Sequence, residues 1–192
     1  NEGKIRAFLS VEGLEAVDDI SVLDELYGEG VRMATLTWNY SNQLAGGVLE
    51  EEQGLTPLGR KVIRKMNELS IIPDVSHLND KSFWDVMEES RKTVIASHSN
   101  SRKICANKRN LSDEQFLAIK NSGGTVGINL YPLFLSGGKR AKISDIIKHI
   151  EHFLSLGGED NVSMGCDFDG VDFLPEGIGG IGERYKLFDE MI

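Results

Sequence analysis

The sequence predicts an α/β fold of parallel strands, either an open doubly wound sheet or a (β/α)8 TIM-type barrel with about six of its eight βα units present. Three observations predict it. Strand and helix patterns alternate without exception along the 192 residues. The strand runs are short, rich in β-branched residues and bounded by polar breaks, as in sheets covered on both faces. Two consecutive runs, Ile71-Ile72-Pro73-Asp74-Val75-Ser76-His77 and Thr93-Val94-Ile95-Ala96-Ser97-His98, each end in a histidine. In a barrel, every strand's C-terminal end opens onto the face where catalytic groups collect.

Taken in order, residues 7–12 read as a strand, and Ile20, Leu23, Leu26 and Tyr27 give a helical stripe closed by Gly28 and Gly30. Residues 33–38 form the second strand, followed by a polar loop over 39–54. Thr56-Pro57 opens a helix, threonine as N-cap and proline at the first helical position, with Val62, Ile63, Met66 and Leu69 on its apolar face. The first histidine strand follows, then a helix around Phe83, Val86 and Met87, then the second histidine strand. After a polar loop over 99–110, Ser112-Asp113-Glu114-Gln115 is a capping box. Residues 124–130 and 161–168 read as the last strands. Between them Ser144 is expected to cap a helix bearing Ile146, Ile147, Ile150 and Phe153, and an incipient helix closes the chain. The absent initiator methionine and the abrupt end favour a barrel missing two units at its front, in one domain over 1–192, also incomplete at its C-terminus.

Composition narrows the class. A net charge of −9 disfavours nucleic acid or an anionic membrane as the main partner. No run reaches the roughly 18 apolar residues of a membrane span. Cys105 and Cys166 are too few for a disulfide framework and read as buried thiols. The expected location is cytoplasmic.

The predicted strand ends carry Glu12, Trp38, His77, His98, the Asn129-Leu130-Tyr131 segment and Asp167. Histidine and carboxylate together suit zinc, and a carboxylate can bridge two metals that share a hydroxide. Asp167 would then carry the proton of that hydroxide. Each residue has a plainer reading: a cap or ion pair for Glu12, a structural hydrogen bond for either histidine, a turn for Asp167 and Asp169. His149 and His152 read as surface or packing residues. Arg102, Lys103, Lys108 and Arg109 crowd the loop after His98, which suits capture of an anion or, more simply, a solvated loop.

These segments together resemble the membrane (renal) dipeptidase family, zinc peptidases of the amidohydrolase barrel type. The resemblance rests on Ser10-Val11-Glu12-Gly13, Leu36-Thr37 with its loop, Gly54-Leu55-Thr56-Pro57-Leu58-Gly59, Asp74-Val75-Ser76-His77, Ser97-His98-Ser99, Asn107-Lys108-Arg109-Asn110 and Gly165-Cys166-Asp167-Phe168-Asp169-Gly170, in family order. It implies two zinc ions, with Glu12 bridging them and His77 and His98 holding one. It implies Arg109 on the substrate's C-terminal carboxylate, Asp167 as acid/base and Tyr131 near the substrate, hence hydrolysis of dipeptides by a metal-bridging hydroxide. The family's His-x-Asp pair does not occur here, so the chain is expected to be a C-terminal portion starting at the family's third strand. Trp38 stands where the family often has a substrate-contacting histidine. The expected partner is a small peptide, with a homodimer compatible. The alternatives are another amidohydrolase activity (on a lactam, an N-acyl amino acid or a phosphoester) and a non-catalytic, degenerate barrel that binds.

Overall fold

The computed structural model describes residues 6–191. The chain divides into two compact units, Asn1–Val94 and Ile95–Ile192. Both are α/β with parallel strands.

In the first unit the order is β1 (Leu9–Val11), α1 (Val22–Gly28), β2 (Val31–Thr35), α2 (Pro57–Leu69), β3 (Ile72–Asp74) and α3 (Asp80–Glu89). The strands form a parallel sheet in sequence order, with Ala34 opposite both Val11 and Pro73. Each crossover carries a helix, as parallel neighbours require. α2 begins as its sequence dictates: Pro57 opens the first turn and Thr56 Oγ1 accepts the Gly59 amide at 3.0 Å. Its face of Val62, Ile63 and Met66 is buried, as are Leu23 of α1 and Phe83 and Val86 of α3. The long β2–α2 connection is no loose tether, since Leu36, Leu44, Ala45 and Val48 are buried within it. Its amides also stitch it to the β1–α1 turn, where Gln43 donates to the Glu15 and Val17 carbonyls.

The second unit contains α4 (Asp113–Asn121), β4 (Val126–Ile128), α5 (Pro132–Leu135), α6 (Ile143–Ser155), β5 (Val162–Met164) and α7 (Tyr185–Met191), with β4 and β5 parallel. The capping box of α4 is present, with both Ser112 and Gln115 side chains bonded. Phe116 of α4 stacks on Phe153 of α6 at 4.2 Å between ring centroids, in a core shared with Ile119, Ile146 and Ile150.

Several expectations are corrected. Every strand is shorter than its apolar run; β3 covers three of the seven residues predicted. Pro73 offers no ladder donor, and beyond Asp74 the chain enters a turn. The second histidine segment is an isolated bridge, Ala96 parallel to Val126, rather than a full strand. There a Cβ on either Gly127 or Gly165 would lie 1.9 Å from the Ser97 carbonyl oxygen, so only glycine lets the segment approach. α6 starts at Ile143, one residue before the expected Ser144 cap, because the Asp145 carboxylate accepts the Lys142 amide at 3.0 Å. The described ladders run to three and two strands and do not close into a ring. Among the described residues, no helix is long and apolar enough to cross a membrane.

Candidate functional site

Glu12 follows β1 directly. Its turn is fixed by Gly13, which adopts φ +82° and donates its amide to Thr35 Oγ1 at 2.6 Å. His77 lies three residues beyond β3, in a turn closed by the Leu78 amide on the Val75 carbonyl at 3.2 Å. It occupies the third turn position with φ +71°, a conformation that usually falls to glycine or asparagine. Asp74 Oδ1 caps the Ser76 amide, and the His77 carbonyl accepts from Val48 at 2.8 Å. This over-determined turn delivers a nearly buried imidazole to a half-exposed carboxylate: His77 Nε2 is 3.1 Å from Glu12 Oε1.

The other ring nitrogen, Nδ1, is 2.9 Å from Asn39 Oδ1. An amide oxygen can only accept, so Nδ1 carries a proton; Nε2 then either donates to Glu12 as part of an imidazolium or, in a neutral ring, turns its lone pair toward the carboxylate. The 3.1 Å contact calls for positive charge in either case, as a proton on Nε2 or as a cation held between the two groups. A neutral imidazole and a carboxylate are donors that zinc takes, so the residues fit a divalent metal. Asn39, which the sequence reading did not single out, is thus the side chain that orients this ring. Trp38, 52% exposed, sits beside the imidazole, with ring centroids 6.2 Å apart.

In the second unit His98 is half-buried two residues beyond Ala96, with Nδ1 2.7 Å from Ser97 Oγ. Its carbonyl accepts from the Arg109 guanidinium at 3.3 Å. Arg109 is 8% exposed, and its guanidinium carbon lies 5.4 Å from the centre of the Phe134 ring. Tyr131 packs edge-on against Phe134 and tilted against Phe173, both at 5.1 Å. One side of the guanidinium thus faces an aromatic cluster containing Tyr131. The basic cluster is not a single site: Arg102 spends donors on the carbonyls of Asn110 and Lys108 in its own loop.

Asp167 is exposed, has φ +58°, and begins a turn in which the Gly170 amide donates to its carbonyl at 3.1 Å. An added Cβ at Gly170 would meet Asp167 Oδ1 at 2.2 Å, so the carboxylate folds back over its own turn. Asn129 Nδ2 donates to Asp167 Oδ2 at 3.2 Å. His149 is fully buried, as a packing residue would be, and is also hydrogen-bonded at both ends. Nε2 donates to the Leu135 carbonyl and Nδ1 accepts the Ser101 amide, both at 3.0 Å. Burial holds its pKa below the ordinary value, keeping it neutral. His152 pairs with Asp113 at 2.7 Å.

Compared with known protein families, residues 1–192 match the family described as membrane dipeptidase (peptidase family M19). The chain belongs to this family. An uncharacterized protein in the pqqA 5' region of Klebsiella pneumoniae is 34% identical, over 99% of this chain and 74% of its own length. An uncharacterized dipeptidase of Schizosaccharomyces pombe is 35% identical, over 100% of this chain but only 48% of its own length. Among solved structures, a metallo peptidase from Rhodobacter sphaeroides, liganded with a phosphinate mimic of the dipeptide L-Ala-D-Ala, superposes with a TM-score of 0.89. It is 31% identical, over 96% of this chain and 56% of its own. This M19 chain therefore spans about half the length of these last two relatives.

Proposed function

We propose that this chain supplies six βα units of a single (β/α)8 domain that hydrolyses dipeptides with the aid of zinc. The observation that carries the reading is the Glu12–His77 pair, a carboxylate and an imidazole held 3.1 Å apart by a turn and by Asn39. Membership of the M19 family supports it, as does the dipeptide mimic held by the Rhodobacter relative. In this proposal Glu12, His77 and His98 would hold the zinc, with the Glu12 carboxylate shared if two ions are bound. Bound zinc would polarise the scissile carbonyl and acidify a water molecule.

The chain's own residues do the rest. Arg109 binds the substrate's free carboxylate through its planar fork, confining substrates to those with the carboxylate near the scissile bond. Asp167 accepts the proton of the attacking water and delivers it to the leaving amine. Tyr131 and Trp38 line the substrate, and Trp38, with one N–H donor and no titratable nitrogen, selects by contact rather than by proton donation. In the complete protein, His77→Ala is expected to lower the zinc content and abolish dipeptide turnover. Dipeptide turnover at undiminished zinc content would overturn the ligand assignment. Blocking the dipeptide's carboxylate should weaken binding; equal affinity for blocked and free dipeptides would overturn the role of Arg109.

A further inference from the structure

The carboxylate of Asp167 is exposed on a left-handed turn, and such a side chain has no intrinsic reason to keep one orientation. Its partner Asn129, by contrast, is fully buried directly after β4. The orientation of the Asn129 amide is dictated by its neighbours. The Tyr131 backbone N–H, which can only donate, lies 2.6 Å from Oδ1. The opposite end of the amide must therefore be the NH₂ group, and it faces Asp167 Oδ2 at 3.2 Å. Asn129 is itself fixed by Asn100, also fully buried. Asn100 Oδ1 accepts the Asn129 amide at 2.9 Å, and its Nδ2 donates to the Asn129 carbonyl at 3.0 Å. This pair of bonds does for residue 129 what a neighbouring strand would do, in the same register as the adjoining bond from the Ser99 amide to the Gly127 carbonyl.

We infer that Asn129, locked by Asn100, is a positioning residue that aims the Asp167 carboxylate for proton transfer. The chain of bonds starts two residues after His98 and ends on the acid/base, so the loop that carries Arg109 and the turn that carries Asp167 share one rigid reference. An amide suits this position because it donates to the carboxylate while bearing no charge of its own and taking up no proton in the working range. The inference rests on the proton-transfer role proposed above for Asp167.

The test is Asn129→Asp in the complete zinc-loaded protein. Aspartate keeps the volume and can still accept the Tyr131 amide, but it turns an acceptor toward Asp167. Expected are a 30- to 1,000-fold fall in kcat, a KM for dipeptide within about threefold of the parent, and unchanged zinc content. Asn129→Ser, shorter and still a donor, should recover part of the kcat if the variant's thermal midpoint is close to the parent's. Asp167→Asn, assayed in parallel, separates the two ideas. If it leaves kcat intact, the proton-transfer role fails. If it abolishes turnover while Asn129→Asp keeps kcat within threefold, the positioning role fails. A rise in KM or a loss of zinc in Asn129→Asp, with kcat retained, would likewise reduce Asn129 to a structural residue.

Discussion

The turn that holds His77 and the turn that holds Asp167 belong to different units, yet they are built alike. Each follows a three-residue parallel strand, and each places a non-glycine residue in the left-handed region, at φ +71° and +58°. Each of these two side chains meets the side-chain amide of an asparagine 38 positions earlier, at 2.9 and 3.2 Å. The polarity is reversed. Asn39 accepts from the imidazole, which leaves Nε2 to face Glu12, whereas Asn129 donates to the Asp167 carboxylate. In the proposed reading one neutral residue type serves both a metal ligand and a proton carrier, because an amide has both ends to offer and its surroundings decide which is shown. Left-handed backbone at a non-glycine costs about 1–3 kcal/mol and persists where the surroundings over-determine it, as the capping and carbonyl bonds around His77 do.

The comparison can be broken by substitution. The largest expected effect is from His77→Ala: with several kcal/mol of metal-derived stabilisation at stake, kcat/KM should fall about 1,000-fold or more, together with zinc content measured by atomic emission. Asp167→Asn should lower kcat by about 100- to 10,000-fold with zinc content and KM nearly unchanged, which would place the two turns in separate steps. Arg109→Ala should raise KM by roughly 10- to 100-fold, the worth of charge-assisted hydrogen bonds, with a lesser effect on kcat. Asn39→Ala should weaken zinc binding by about 10- to 100-fold in a chelator competition while sparing Asp167, since it removes the bond that sets the ligand's tautomer. If Asn39→Ala and Asn129→Asp instead gave the same kinetic signature, the opposition between the two turns would be void.

The smallest effect is on acid stability, and it too should differ between the units. His149 is held below the ordinary imidazole value of 6.5 by burial, chiefly, so the unfolded chain binds its proton first as pH falls. Its contribution is complete above about pH 6.5 and declines below it. In the first unit the Arg64 guanidinium bonded to Glu89, with Arg60 beside it, holds that carboxyl below the usual 4.5. That contribution is complete above about pH 4.5 and is lost only as pH falls further. Limited proteolysis between pH 7 and 5 should therefore cut the Ile95–Ile192 unit before the Asn1–Val94 unit. His149→Gln, which keeps a donor and an acceptor but gains no proton, should remove the difference.

Much of this was legible in the residues. Thr56-Pro57 and the Ser112 box start helices because caps act within one turn, and both stand where the pattern puts them. The α/β class and the parallel sense of the strands follow from alternation alone, whereas their sequential order is what separates the barrel reading from a doubly wound sheet. The apolar runs overstated the strands because burial extends past the ladder: Val75 and Leu78 are buried in a turn. The position of His77 was readable, but not its left-handed backbone. Asn39 and Asn129 were invisible as partners because nothing in a sequence of polar loops couples positions so far apart. His149 was read as a surface or packing residue and is buried, and its bonds to Ser101 and Leu135 depend on a register that only the folded unit defines.

The loop over 99–110 is fastened by its own side chains. Arg102 reaches back to the Asn110 and Lys108 carbonyls, and Asn110 donates to those of Cys105 and Phe134. A ligand approaching Arg109 would meet a surface whose entropy was already surrendered during folding. Little conformational freedom remains to be lost on association, so even a molecule with few atoms could bind usefully through one good pair of contacts.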